Sequence, residues 1–125
     1  SLIYSTAPPP ALAAAGLAAL RVCQHEPEWL QRLQALQNYC VTEAKQAGVT
    51  LQHLGASIMR WHTGSVEKAL AAAKSARAAG LWCVPMRPPT VPQEEAGLRI
   101  TVTAQHSKSQ IEQLIEWMVR HAAEC

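Results

Sequence analysis

Apolar positions recur along this chain with two periods, and the switches between them divide it into eight elements. Ala11 to Cys23 is rich in alanine and leucine, the strongest helix formers, follows the Pro8-Pro9-Pro10 run and is interrupted only by Gly16, so it predicts a first helix begun by proline. Its small residues predict close packing. Pro27 then stands at a first helical position, and Trp29, Leu30, Leu33, Leu36, Cys40, Ala44 and Ala47 recur at spacings of three and four as far as Gly48. About twenty residues rising about 1.5 Å each make this second helix roughly 30 Å long. After Gly48 the period shortens: Val49, Leu51 and His53 alternate with Thr50 and Gln52, and Ile58 to Thr63 is a second strand-like run between Gly55 and Gly64. Ser65 is placed to cap a third helix with the inward stripe Ala69, Leu70, Ala73 and Ala76, which Gly80 ends.

Leu81 to Met86 is short and apolar, and prolines at 85, 88, 89 and 92 break any continuous ladder there, because proline offers no backbone donor. The clearest strand follows, with Leu98, Ile100, Val102 and Ala104 alternating with Arg99, Thr101 and Thr103. Ser107 and Gln110 have the spacing of a capping box, and Ile111, Leu114, Ile115, Met118, Val119 and Ala122 mark one face of a last helix. The order α-α-β-β-α-β-β-α predicts an α+β fold, a small, mostly antiparallel sheet covered by helices on one face.

Length and composition narrow the class. The chain has 125 residues, 49% of them apolar and 16% charged, which suits one globular core able to form without metals or disulfides. Eleven Lys and Arg against nine Glu, with no Asp, leave a net charge of +2. That is too mild and too scattered for the basic stripe of a nucleic-acid binder, so no nucleic-acid partner is expected. Ser1 to Leu20 carries no charge but is too weakly apolar to span a bilayer and lacks a basic leader region, so no membrane association is expected. Without an initiating Met, the sequence reads as processed, excised or incompletely covered. Cys23, Cys40, Cys83 and Cys125 are far apart and form no C-x-x-C, which fits reduced thiols in a cytoplasmic protein.

Most groups that carry chemistry have a plain structural explanation. Histidines 25, 53, 62, 106 and 121 never fall at metal-ligand spacing, so no metal site is expected, and Glu94 and Glu95 form an adjacent acidic pair typical of solvated surface. Arg87 differs, because it leaves an apolar strand and precedes Pro88 and Pro89, which restrict the backbone beside it. A guanidinium fixed there matches a carboxylate bidentately, either that of an acidic ligand or that of a glutamate at a domain interface. Ser5 and Thr6 precede the proline entry to the first helix, where hydroxyl and N–H groups either receive a phosphate or cap the helix.

These residues resemble a known family, the α-oxoamine synthases, which are pyridoxal-phosphate enzymes of the fold-type-I aminotransferase class. Tyr4-Ser5-Thr6-Ala7 with Pro9-Pro10-Ala11 is similar to the family's S-T-A-x-P-P-A segment. Met86-Arg87-Pro88-Pro89-Thr90-Val91-Pro92, followed by Leu98-Arg99-Ile100-Thr101 and Ala104-x-His106, resembles the R-P-P-T-V-P…L-R-x-T-x-x-A-x-H signature of the 8-amino-7-oxononanoate synthase branch. The resemblance runs essentially end to end. It implies an acyltransferase of biotin biosynthesis that condenses L-alanine with a pimeloyl thioester, carried by coenzyme A or a carrier protein, with loss of carbon dioxide. The cofactor supplies an electron sink for a carbanion at the amino-acid α-carbon.

In that family the lysine, histidine and aspartate that hold pyridoxal 5'-phosphate lie in a large upstream domain, and nothing like them is found here. The chain therefore resembles the C-terminal small domain alone, with residues 1–25 as an interdomain helix segment entering it and 26–125 as the domain itself. The resemblance implies that Arg87 binds a substrate carboxylate, that Thr90 lies against the acyl substrate, and that Ser5 and Thr6 reach the cofactor phosphate of the other subunit of a homodimer. No catalytic residue, bound cofactor or activity is expected of this chain alone. It departs from the family pattern at Pro8, Glu94 and Gly97, the last two replacing a usual Gly and Arg, and over Ser57–Gly64, which replaces a run resembling P-I-Q-P-V-x-V-G. Arg60 and Trp61 in that run are expected to cover apolar surface or meet the missing domain. The alternatives are another α-oxoamine synthase, such as a glycine C-acetyltransferase, or a non-catalytic binding module on the same fold. Burial of Ala11, Ala14, Ala15, Ala18 and Ala19 separates a self-sufficient module from a domain that has lost a partner.

Overall fold

Strand pairing organises the molecule. The computed structural model describes residues 7–55 and 57–124, in the order α1 (Pro10–His25), α2 (Glu28–Gln46), β1 (Leu51–Gly55), β2 (Ile58–His62), α3 (Val66–Ala78), β3 (Val84–Met86), β4 (Gly97–Thr101) and α4 (Lys108–Glu124). The four strands form one antiparallel sheet in the order β1-β2-β4-β3. The α+β class and the helix-covered antiparallel sheet are those expected from the alternation of periods.

Register decides which side chains face the helices. Leu51, Trp61, Leu98 and Pro85 lie opposite one another across the sheet, and Met59 pairs with Ile100 in a neighbouring row. These rows share one face and join Leu36, Cys40 and Ala44 of α2, Ala72 and Ala76 of α3, and the buried side of α4 in one core. The intervening row, Gln52, Arg60, Arg99 and Val84, turns to the other face. β3 is an edge strand of three residues, so Pro85 sits where a missing donor costs no ladder bond on the open side. Gly48 and Gly80 take positive φ after α2 and α3, and the N–H groups of Val49 and Leu81 close back on the Ala44 and Ala76 carbonyls, each at 2.8 Å. Gly97 is required by contact rather than conformation: a Cβ there would overlap the Trp61 carbonyl oxygen.

Three helical stripes differ from those expected. In α3 the buried residues are Ala69, Ala72 and Ala76, while Leu70 is 46% exposed; alanines admit the helix close to the sheet, and a leucine in the stripe would hold it off. In α4 the inward face includes Trp117, and Val119 is partly exposed. Trp117 meets Trp61 edge-on at 5.7 Å, stacks on His121 at 5.3 Å and donates from Nε1 to the Ser75 hydroxyl at 3.2 Å, so its ring fills the α3–α4 seam and turns Val119 outward. In α2 burial begins at Leu36; Trp29 and Leu30 are exposed on the first turns.

The largest correction concerns α1. Not one of its 16 residues is buried, and Leu12, Leu17, Leu20 and Val22 are all exposed. The close packing expected of its alanines finds no partner among the described residues.

Candidate functional site

The segment that carries Arg87 and Thr90 leaves the sheet after Met86 and re-enters it at Gly97, two residues that pair directly across β3 and β4. Residues 87–96 therefore form a loop with neighbouring ends. Its outgoing limb is a tight turn: the Pro88–Pro89 peptide is cis, the Thr90 N–H donates to the Arg87 carbonyl at 3.0 Å, and the Thr90 hydroxyl donates to the same oxygen at 2.6 Å. This puts Arg87 and Thr90 on one short structure. The Arg87 side chain is exposed, and its guanidinium has no hydrogen-bond or ion-pair partner among the described residues. Ser5 and Thr6 lie outside the described residues; α1 has Pro9 at its N-cap and Pro10 at its first helical position.

The return limb is held from β2. Arg60 is a buried charged residue, 8% exposed, and its guanidinium bonds on two sides. Nε donates to Gln52 Oε1 at 3.1 Å and Nη2 donates to the same oxygen; Nη1 donates to the Glu95 carboxylate and, at 3.3 Å, to the Glu95 carbonyl. Two residues on, His62 Nε2 lies 2.6 Å from the Glu94 carbonyl, and since a carbonyl only accepts, Nε2 carries the proton. The Thr63 N–H donates to the Ala96 carbonyl at 3.2 Å. Arg60 is thus occupied within the chain rather than turned toward a missing domain, and Glu95 is an ion-pair partner rather than bare surface. The sequence signal for this pair was an arginine out of phase with Met59 and Trp61, which puts it on the other face of the strand.

Two hollows flank the sheet. One of about 230 Å³, lined by Trp61, His62, Thr63, Lys68, His121 and Ala122, lies at the end where β2 finishes, the end that also carries the loop. The larger, about 750 Å³, opens between α2 and the start of α4 at the other end; there Lys108 sits over the Tyr39 ring, and His106 Nδ1 accepts from the Thr103 N–H at 2.9 Å. The hydrogen bond from the Tyr39 hydroxyl to Glu112 pushes that phenol up to about 12, and burial pushes the Cys40 and Cys83 thiols up to about 11, so neither buried thiol is a nucleophile near neutral pH.

A pyridoxal-phosphate seat needs a lysine for the aldehyde and a carboxylate for the ring nitrogen. Lys45, Lys68, Lys74 and Lys108 are all exposed, the chain has no Asp, and Glu95 is engaged by Arg60 and Glu112 by Tyr39. The described residues do not fit that cofactor. They present, at the turn, the exposed guanidinium of Arg87, a group suited to a carboxylate. Among them no cluster could hold a metal ion, and no helix is long and apolar enough to cross a membrane.

Comparison with known proteins agrees with the motifs. The family model "Aminotransferase class I and II" matches residues 1–117. The chain is 41% identical over 123 residues to 8-amino-7-oxononanoate synthase of Chromobacterium violaceum, covering 96% of this chain and 31% of that protein. It is 45% identical over 118 residues to the protein of the same name from Yersinia enterocolitica, covering 92% and 30%. Among solved structures it superposes on serine palmitoyltransferase from Sphingomonas wittichii with a TM-score of 0.81 at 21% identity, over 97% of this chain and 31% of that one. It superposes on 8-amino-7-oxononanoate synthase from Francisella tularensis with a TM-score of 0.81 at 20% identity, over 97% and 35%. The chain spans about 30% of the length of the curated relatives it matches.

Proposed function

The chain belongs to the aminotransferase class I and II family, and on that premise we propose that it is the C-terminal small domain of an 8-amino-7-oxononanoate synthase, with residues 1–25 as the interdomain helix segment and 26–125 as the domain. The whole enzyme would be a homodimer that joins L-alanine to a pimeloyl thioester with release of carbon dioxide, in biotin biosynthesis and in the cytoplasm. Pyridoxal 5'-phosphate, held by residues outside this chain, supplies the electron sink; Ser5 and Thr6 would touch its phosphate in the partner subunit. The observation that carries the reading is Arg87: an arginine in the family's proline motif, its side chain exposed and its backbone held in a turn that also orders Thr90. It would bind and orient the amino-acid carboxylate, while the Thr90 methyl group, its hydroxyl spent on the turn, would meet the acyl chain.

The open face of α1 favours a domain with a missing neighbour over a freestanding module. The chain alone is expected to show neither pyridoxal-phosphate absorbance nor activity. The test is a chimaera in which residues 1–125 replace the matching third of the Chromobacterium violaceum synthase. It should form 8-amino-7-oxononanoate, and Arg87→Ala in it should lower kcat/KM for L-alanine by roughly 30- to 1000-fold, the worth of about 2 to 4 kcal/mol for a charged contact in a dry site. A chimaera that instead uses glycine with acetyl-CoA, or an Arg87→Ala variant whose melting temperature falls in step with its activity, would overturn the reading.

A further inference from the structure

We propose that Arg60 is a positioning residue for Arg87: by clamping Glu95 it fixes the return limb of loop 87–96 and so sets where the carboxylate-binding guanidinium stands. This rests on the reading of Arg87 given above. The outgoing limb has its own ties, β3 pairing and the Arg87–Thr90 turn. The return limb has within itself the short turn Gln93–Glu95, closed by the Glu95 N–H on the Pro92 carbonyl at 3.0 Å and the Ala96 N–H on the Gln93 carbonyl at 3.3 Å. That turn is anchored from β2, where Arg60 takes the Glu95 carboxylate and carbonyl and His62 takes the Glu94 carbonyl, and just beyond it, where the Thr63 N–H and hydroxyl donate to the Ala96 carbonyl at 3.2 and 3.3 Å; of these residues only Arg60 reaches the Glu95 side chain. With both limbs tied, the segment between them has little freedom.

The chemistry suits a clamp better than packing. Arg60 stands directly across from Arg99, and like charges in opposed positions are unfavourable in an antiparallel pair, so the arginine is kept at a local cost. Its fork spends two donors on Gln52 and a third on Glu95, which bridges β1, β2 and the loop; the single ammonium of a lysine cannot span both sides. Buried ion pairs contribute little net stability compared with apolar residues of similar volume. Glu95, half exposed, is free to turn to water once its partner is gone. Removing Arg60 should therefore loosen the loop more than it unfolds the domain.

Two measurements test this. In the 125-residue chain, Arg60→Met should speed amide hydrogen exchange at Thr90, Glu95 and Ala96 by about tenfold or more and leave Met118 in α4 unchanged, since local opening and global unfolding are separate events. Arg60→Lys should not restore protection, and Glu95→Gln, which keeps the carbonyl contact, should give a smaller rise. Loop exchange that is unchanged, or that rises equally across the sheet and helices, overturns the clamp. In the chimaera, Arg60→Met should raise KM for L-alanine by roughly fivefold or more with kcat within about twofold, the signature of a displaced binding group. Unchanged KM overturns the positioning role. If Arg87→Ala also leaves that KM unchanged, the carboxylate reading has failed, and the exchange result still decides whether Arg60 holds the loop.

Discussion

Helices α1 and α4 are of nearly equal length and both rich in apolar side chains, yet one contributes nothing to the core and the other much of it. In α4, Ile111, Leu114, Ile115, Trp117 and Met118 are buried against the sheet and α2; in α1, Leu12 is 64% and Leu20 62% exposed. Apolar content decides whether a helix can be buried, and arrangement decides against what. α4 separates its apolar stripe from Glu112, Glu116 and Arg120, so its face fits a sheet it helps cover. α1 scatters alanine and leucine around its circumference, the pattern of a helix enclosed from several sides, and the described part of this chain supplies none of them.

Thiol labelling separates the two environments most widely. Cys23 is exposed on α1, whereas Cys40, in the core on α2, is fully buried with its thiol raised to about 11. At neutral pH Cys40 should label only through unfolding, slower than Cys23 by about a thousandfold or more; comparable rates would mean that the core is open. The same thiols set a pH dependence. Cys40 and Cys83 hold their protons more tightly folded than unfolded, so the stability this gives is complete below pH 9.0, the ordinary thiol value, and is lost as the pH rises through about 11. Denaturant midpoints should fall across that window, and a Cys40→Ala, Cys83→Ala variant should fall less.

Side-chain truncation comes next. Trp117→Ala should cost about 3 to 5 kcal/mol, whereas Leu17→Ala in α1 should stay within about 0.5 kcal/mol; chemical denaturation of both reads the gap directly, and equal losses would erase the contrast. The smallest effect lies at the entry to α4. The Ser107 hydroxyl accepts from the Gln110 N–H at 3.2 Å, and the Gln110 side chain accepts from the Ser107 N–H at 2.9 Å. Ser107→Ala should cost about 1 kcal/mol.

Local patterns carried most of the fold. The Ser107–Gln110 box, the Leu98–Ile100–Val102 alternation and the glycines after α2 and α3 each act through neighbours in sequence, so the residues alone disclosed them. The exposed leucines of α1 and the turn of Trp117 into the α3–α4 seam depend on what else is present, and no periodicity reports that. The site divides the same way. Arg87 was visible because prolines follow it, and Thr90 only through the family resemblance, whereas the Arg60–Glu95 bridge joins residues 35 positions apart and needs the β2–β4 register to exist.

The bare α-carbon of Gly97 has a consequence for inheritance. Since even a methyl group there would strike the Trp61 carbonyl, β2 and the beginning of β4 can change only in concert. A segment brought in by recombination that carried any side chain at this position, but kept the present β2, would prise the two strands apart. The stretches Ile58–His62 and 87–97 are therefore coupled in what they tolerate, though a helix and a strand separate them along the chain.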